Sequence, residues 1–459
     1  MLGFNPQNLW LQWIVFEALV KLTPDGQPIP WLATSWQFAP DYSYVDFTLQ
    51  QGVKFHDGTD FNADSVVTDV NQLFTDKNSA TLKWDHIEKT GDYSVRLYLK
   101  HYDRSFWNNI TSGGMFFASN TALTDQGMDY VKAHPIGTGP FKFQSFEKDV
   151  SMSFVKNPDY WQQGKPYLDG IKFITTQETL TQEAQMKTNE GDVLTLISEG
   201  KVLDDMKNAG FNVVTVTGAA NFIMFDTANQ DSLTNNPLVR QAIEYGINKQ
   251  EVADTLGHGY MAPDNQIPFT GNPAFDPNLP SRNYDPAKAK DLLAQAGYPN
   301  GLTLHLISEN SGQDFAVLFQ QYMKAIGITI DLELVDNAKL WNYIMQGWHG
   351  MIATGYAMGT NLPNFLLGYF PPNSPLDVSV KIPDNILAQC QAAMDETDDA
   401  KFQQESYAIS QWIYDNAFFV PTVGVAMGYI ISPKVHDADF LLKYYMFTMW
   451  SPENAWLSQ

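Results

Sequence analysis

Residues 52–66, GVKFHDGTDFNADSV, place a histidine beside an aspartate, with two more acids within the next eight positions. Imidazole and carboxylate groups this close together can bind a metal ion or act as a general base and acid. The same stretch also fits a half-buried strand ending near Val53 and Phe55, followed by a turn at Gly58. Asn62 can then cap a helix. We favour the structural interpretation, because every polar residue here has a local role.

Other patterns that could support catalysis are weak. No two of the eight histidines stand three or four residues apart, so their spacing proposes no zinc site. The sequence Gly137-Thr138-Gly139-Pro140 lacks the lysine and hydroxyl residue of a phosphate loop, and we interpret it as a backbone crossing. Cys390, the one cysteine, excludes an internal disulfide and has the spacing of a buried helical position. A hydrolase using acids such as Asp57 and Asp60 remains an alternative.

The charge balance limits the partners. With 51 acidic and 28 basic residues the formal charge is −23, which argues against nucleic acid and against an anionic membrane surface. No apolar run approaches the ~18–20 residues of a membrane span. The first apolar stretch, residues 9–19, contains Gln12 and Glu17 and has no basic residue before it, so it is no signal peptide. We expect either a cytosolic protein or a chain without its leader.

The chain lacks the regular strand–helix alternation of a barrel, but helices separate several of its strand patterns and predict a mixed α/β fold. Asp285-Pro286 and Asn236-Pro237 each combine an N-cap residue with a proline at the first helical position. Candidate boundaries lie at residues 217–221 and 420–422, and two crossings of this kind suit a hinged protein with two lobes. The predicted strands are Tyr44–Leu49, Ser94–Leu99, 171–175, 222–225, 303–307 and Ile328–Val335.

Aromatic residues near the ends of the predicted elements are the stronger functional signal. Such rings offer a large contact area at a low entropy cost, which suits sugars, peptides or planar chelates in a cleft. The rings concerned are Trp10, Trp13, Trp84, Trp107, Trp341, Trp348, Tyr356 and Tyr369.

Six segments, in order along the chain, resemble the extracytoplasmic solute-binding proteins of the peptide/nickel class of ABC importers. They begin with LATSW followed by YVDFTLQQGVKFHDGTDFNADSV, and they continue through HPIGTGPFKF, NPDYWQQGKPYLDGIKFI, NNPLVRQAIEYGINKQEV, YDPAKAKDLLAQAGY and VPTVGVAMGYIISPKV. The resemblance implies an α/β, type II periplasmic-binding-protein clamp with two lobes, an accessory subdomain and a two-crossing hinge. It assigns residues 1–220 to lobe I, with the accessory part at about 38–145, residues 221–425 to lobe II, and residues 426–459 to a return into lobe I.

The resemblance also suggests which residues bind the ligand. Pocket positions of the nickel-chelate binders fall on Phe4, Leu9, Trp84, Met115, Trp341, Ala357, Asn361 and Pro375, but the two arginines that hold the chelator appear here as Thr81 and Met115. The aspartate with which peptide binders hold an amine is absent from residues 355–363. We predict no metal ligand and no cofactor. The predicted ligand-binding set is Phe4, Leu9, Trp10, Trp84, Met115, Trp341, Tyr356, Met358 and Asn361.

The function implied by this resemblance is capture of a short peptide, a metal chelate or a sugar, in that order, for delivery to ABC permease subunits. We expect a monomer without nucleic-acid partners, located in the periplasm or anchored as a lipoprotein on the outer face of the membrane. A leader and a first strand would precede residue 4 in this class, so we expect a trimmed chain. The rivals are an oligosaccharide binder of the same fold, a hydrolase, and a cytosolic sensor.

Overall fold

The structure is a computed structural model that describes residues 9–23, 26–75, 83–111, 115–176, 178–357, 359, 361–438 and 452–458. Its helices are α1 (Leu9–Val15), α2 (Ala63–Thr75), α3 (Phe106–Asn109), α4 (Asn120–Gln126), α5 (Met128–Ala133), α6 (Thr179–Lys187), α7 (Gly200–Asn208), α8 (Pro237–Tyr245), α9 (Lys249–Gly257), α10 (Pro286–Gln295), α11 (Gln313–Ala325), α12 (Asn337–Gln346), α13 (Leu362–Tyr369), α14 (Asp384–Asp395) and α15 (Asp399–Asp415). Its strands are β1 (Val20–Leu22), β2 (Pro28–Pro30), β3 (Ala33–Phe38), β4 (Tyr44–Leu49), β5 (Trp84–Gly91), β6 (Ser94–Leu99), β7 (Phe141–Glu147), β8 (Ser151–Lys156), β9 (Gly170–Ile174), β10 (Val193–Ile197), β11 (Asn212–Phe225), β12 (Met261–Pro263), β13 (Leu302–Glu309), β14 (Ile328–Val335), β15 (Met351–Ala357), β16 (Phe419–Ile431), β17 (Val435–His436) and β18 (Trp456–Leu457). The predicted α/β class is confirmed.

The chain divides into two compact units. Unit 1 comprises Met1–Thr195, Ala209–Val214 and Tyr429–Gln459, and unit 2 comprises Leu196–Asn208 and Thr215–Gly428. The predicted lobe limits after residues 220 and 425, the accessory subdomain and the hinge stay predictions.

In unit 1 a four-stranded antiparallel sheet has the order β3-β4-β6-β5. Along β4, Val45, Phe47 and Leu49 are buried at alternate positions, as the period of two in a half-buried strand requires. The solvent face of the same strand carries Asp46, which accepts two hydrogen bonds from Arg96 on β6, at 2.7 and 2.8 Å. Helix α2 buries its apolar side in the same core.

A second sheet of unit 1 has the order β7-β8-β9. Phe141 and Phe154 from this sheet pack with Ile14, Val15 and Phe16 in a second, smaller core. The N-terminal helix α1 and the residues just after it are therefore held by strands that lie more than a hundred positions later in the sequence.

Unit 2 is centred on a sheet in which its strands have the order β16-β11-β15-β13-β14, and β12 pairs with β16. Strand β13 runs parallel to β14 and β15, whereas β11 is antiparallel to β15. The sequence signals for the two proline-led helices are confirmed, because Asn236 caps α8 and Asp285 caps α10 through their side-chain oxygens. Their apolar sides, with that of α11, form the core of unit 2.

Residues 217–221, expected to precede the strand at 222–225, lie inside β11 instead, and their role as a domain boundary stays a prediction. Small and polar residues there look like a linker, but backbone pairing with β15 opposes Ala219 to Ala357 and Asn221 to Gly355. Here the pairing with β15 determines that these residues form a strand, and the local composition does not reveal that pairing. Strands Tyr44–Leu49, Ser94–Leu99 and Ile328–Val335 are confirmed with their predicted limits.

The stretch of residues 52–66 has the predicted turn and helix start. Gly52 and Gly58 both have positive φ, and the Asn62 side chain accepts hydrogen bonds from the backbone N–H groups of Asp64 and Ser65. Beyond Gly52 there is a single bridge, between Lys54 and Asp60, rather than a continued strand.

The Gly137–Gly139 segment is a backbone crossing, as predicted. The Gly139 N–H donates to the Val15 carbonyl at 2.8 Å, and a Cβ on Gly137 would lie 2.1 Å from that same oxygen. The two glycines therefore allow one backbone to lie directly against another.

Replacing Gly137 by alanine should lower the free energy of unfolding by about 1–3 kcal/mol, because the added methyl group must push the Val15 backbone away. Urea unfolding followed by circular dichroism measures the change. Gly368→Ala is the matched control: a Cβ on this helical glycine meets nothing within 4 Å, so stability should stay level or rise slightly. Equal losses in the two variants would contradict the close crossing.

Candidate functional site

Five aromatic rings of unit 2, here called the aromatic cluster, include one of the predicted ligand contacts. Tyr356 on β15 lies 6.0 Å from Phe222 and 4.8 Å from Tyr369 between ring centroids. Phe222 in turn contacts Phe365 and Phe419. Strands β11, β15 and β16 and helix α13 contribute these rings, so regular elements rather than loops fix their positions. The cluster consists of Phe222, Tyr356, Phe365, Tyr369 and Phe419.

The Tyr356 hydroxyl is one of two hydroxyls in this cluster, the other being that of Tyr369. The side chain is 9 % exposed, and its buried oxygen has no hydrogen-bond partner among the residues that the structure describes. Burial raises the pKa of Tyr356 above its ordinary value, so the group remains a neutral donor at physiological pH. A buried hydroxyl without a partner costs about 1–3 kcal/mol, which a ligand acceptor could recover.

Trp341 and Asn361 lie in unit 2 in different settings. Trp341 stands on α12 with 47 % of its surface exposed, and Met345, one turn later, is also exposed. Asn361 caps α13 by accepting from the Asn364 N–H at 3.0 Å, and its amide nitrogen lies 3.2 Å from the sulfur of Met394. Trp341 is thus available to a ligand, while Asn361 already has a structural role; ligand contact stays a prediction for both.

Trp84 and Met115 lie in the main core of unit 1, each 1 % exposed. Trp84 is the first residue of β5, at the end of an element as expected, and it is paired with Leu99. An indole at the start of a strand can turn into the core, and sequence spacing alone does not show this. Their packing needs no ligand, and their contact with one stays a prediction.

The remaining predicted contacts are not placed in full. Leu9 and Trp10 belong to helix α1 by their backbone, but their side chains lie outside the described residues, as do Phe4 and Met358 altogether. The same is true of Thr81, one of the two positions compared with the chelator arginines.

His56 and Asp57 both form hydrogen bonds with other residues of the protein. The His56 ring places Nε2 2.9 Å from the Gly139 carbonyl, and burial lowers the pKa of this histidine to about 4. Asp57 accepts hydrogen bonds from the Ser119 and Thr59 hydroxyls. A histidine held neutral against a backbone oxygen and an acid bound to two hydroxyls support the structural interpretation over a catalytic pair.

A carboxylate–histidine pair that the spacing analysis missed lies in unit 2. Asp226 is fully buried, its Oδ2 is 3.0 Å from His349 Nδ1, and it accepts from the Asn229 amide at 2.8 Å. His349 and His305 both line an open cavity of about 370 Å³. Such pairs orient histidines in metal sites, but no group of three or more His, Cys, Asp or Glu within the described ranges is arranged to hold a metal ion.

Glu17 is the centre of the densest polar network of unit 1, and sequence analysis did not single it out. The Trp31 indole and the Tyr160 hydroxyl donate to its Oε1, each at 2.8 Å. The Thr138 hydroxyl and the Trp161 indole donate to Oε2, each at 2.9 Å. The available signal was that Glu17 is the one acid in a mostly apolar run. A carboxylate is buried in such a run only when hydrogen-bond donors or charges surround it.

Burial raises the pKa of Glu17 to about 7, although the Tyr160 hydrogen bond, the nearby Lys21 charge and the other donors act in the opposite direction. Lys21 lies 3.6 Å above the Trp31 ring and 3.5 Å from the Glu453 carboxylate. The same network therefore connects the N-terminal segment to the 3₁₀ turn Pro452–Asn454.

The family model and the curated relatives that match this chain point to the same class of protein. The model of the "Bacterial extracellular solute-binding proteins, family 5 Middle" matches residues 27–375. The glutathione-binding protein GsiB of Pectobacterium atrosepticum is 29 % identical over 331 residues, covering 70 % of this chain and 63 % of that protein. GsiB of Salmonella typhi is 29 % identical over 329 residues, covering 70 % and 64 %. The chain thus spans less than two thirds of the length of these relatives.

Solved structures show the same fold. NikA from Brucella suis in complex with Fe(III)-EDTA has a TM-score of 0.88 at 20 % identity, covering 98 % of this chain and 96 % of that one. DppA from Helicobacter pylori in complex with the peptide STSA has a TM-score of 0.82 at 23 % identity, covering 100 % and 95 %. Among the helices that the structure describes, none has both the length and the apolar character of a membrane span.

Glu17→Gln should destabilise the protein by roughly 2–3 kcal/mol at pH 5, because an amide nitrogen would face donors. With a folded pKa of about 7 against 4.5 for the free group, the folded state retains a proton that the unfolded state releases between these values. The stability advantage of the wild type should therefore fall as pH rises from about 4.5 to about 7. Urea unfolding of both proteins at several pH values measures it, and an advantage that grows with pH would contradict the raised pKa.

Proposed function

We propose that this chain, which belongs to the bacterial extracellular solute-binding proteins of family 5, captures a small solute outside the cytoplasm and delivers it to the permease of an ABC import system. The observation that carries the proposal is the family match over residues 27–375, which includes residues of both units. No catalytic step is part of this function. In a clamp of this fold, capture requires that the solute bind the closed state more tightly than the open state.

A short peptide is the first candidate for the solute. The curated relatives are named for glutathione, a tripeptide-like thiol, and DppA was solved with a tetrapeptide. The rings of the aromatic cluster and the Tyr356 hydroxyl suit apolar side chains beside a hydrogen-bonding backbone. A metal chelate is second, supported by the NikA complex and by NikZ of Campylobacter jejuni with Ni(L-His). An oligosaccharide is third.

A chelate that carries several carboxylates fits this chain less well. In the matched positions of the nickel-chelate binders two arginines hold such groups, and this sequence has Thr81 and Met115 there. Neither side chain can form the bidentate, charged hydrogen bonds that arginine gives a carboxylate. We therefore rank peptides above chelates as the solute of this chain.

The partners and location follow from the same family. We propose a monomer outside the cytoplasm that contacts permease subunits and no nucleic acid, either in the periplasm or held on the outer face by a lipid anchor. The charge of −23 is consistent with a soluble protein that does not bind anionic polymers.

Isothermal titration calorimetry with reduced glutathione, Ser-Thr-Ser-Ala and the nickel–histidine complex tests the function. We expect saturable one-to-one binding of at least one peptide, with the peptide recovered intact after release. Cleavage of the bound peptide, removed by Asp57→Asn, would contradict the binding function and favour the hydrolase.

Trp341→Ala should weaken binding of that peptide by roughly tenfold, because a large exposed ring is lost from a predicted contact. Stability should hardly change, since the side chain is half exposed. Trp456→Ala is the matched control, as this indole is 39 % exposed and lies in the β17–β18 pair of unit 1, outside the predicted ligand set. Equal affinity of Trp341→Ala and wild type in the calorimeter would remove Trp341 from the site.

A further inference from the structure

The Tyr356 hydroxyl is fixed in place before any ligand arrives. Its ring contacts those of Phe222 and Tyr369, and β15, which carries it, is paired with β11 along seven residue positions from Ala219 to Phe225. A donor held this way loses little conformational entropy when an acceptor binds.

The rings that the structure places in contact with this tyrosine carry no charge. The other rings of the aromatic cluster are neutral, and residues 355–363, GYAMGTNLP, include neither an acid nor a base. An ammonium group next to these rings would gain only weak cation–π contacts, and no counter-ion from residues 355–363, to offset the larger cost of losing its water. A carbonyl or amide oxygen, by contrast, can accept from the hydroxyl while its neighbouring atoms contact the rings.

We propose that Tyr356 is a specificity-determining residue whose hydroxyl donates to an uncharged carbonyl-type oxygen of the solute, so that unit 2 selects peptides whose amine is blocked or absent at this position. The inference rests on the proposed solute-binding function and adds the chemical class of the solute to it. It separates this chain from a binder that reads a free α-amine with a carboxylate.

The unfolding arm of the test needs no ligand. Tyr356→Phe removes a hydroxyl that makes no hydrogen bond within the described protein, so the urea midpoint should stay level or rise. Tyr160→Phe is the matched control: this tyrosine is equally buried, but its hydroxyl donates to Glu17 at 2.8 Å, and its midpoint should fall. A fall for Tyr356→Phe as large as that for Tyr160→Phe would overturn the inference, because the hydroxyl would then have a partner within the protein.

The binding arm uses two pools of apolar tripeptides that differ only in an acetylated or a free N-terminus. The acetylated pool should raise the melting temperature of the wild type at roughly tenfold lower concentrations than the free pool does. Tyr356→Phe should bind the acetylated pool roughly tenfold more weakly than the wild type does. Preference for the free amine, or unchanged affinity in Tyr356→Phe, would overturn the inference. If neither pool binds, the peptide function falls and the inference that rests on it falls with it.

Discussion

One buried carboxylate, Glu17, fixes the arrangement of unit 1. Four donors reach it from three parts of the chain that follow it: residue 31, residue 138 and residues 160–161. Each of these side chains is a tryptophan, tyrosine or threonine whose polar atom would otherwise be buried without a partner. Removing Glu17 would leave several unsatisfied donors at once, so this interaction supports more structure than any single apolar contact nearby.

The stretch that contains His56 and Asp57 helps to hold the same part of unit 1 in place. The Gly139 carbonyl receives the Asn157 amide at 3.1 Å and lies 2.9 Å from the His56 ring, while the Gly139 N–H binds Val15. Val15 lies two residues before Glu17, so the histidine that invited a metal or catalytic interpretation helps to hold the Glu17 segment. Unit 1 therefore uses Glu17, His56 and Asp57 for structure, whereas the Tyr356 hydroxyl, which we propose donates to a ligand, lies in unit 2.

Local signals predicted what depends on local geometry. Alternating apolar residues gave the limits of Tyr44–Leu49, and the Asp285-Pro286 and Asn236-Pro237 pairs gave the starts of α10 and α8, because strand pleat and helix capping involve neighbours in sequence. Burial of Trp84 and continuation of β11 through residues 217–221 depend on distant partners, and so do the Glu17 donors. Of the predicted ligand set, Tyr356 and Trp341 have surroundings that are compatible with contact to a ligand. The class of protein was predicted from the family resemblance rather than from any single residue.

Native mass spectrometry of the freshly purified chain, mixed with a defined pool of short peptides, tests the central claim most directly. The account predicts one peptide per chain, released with unchanged mass when the protein is denatured. Peptide fragments in place of the intact pool, or a chain that retains no peptide while a sugar or chelate binds, would contradict it.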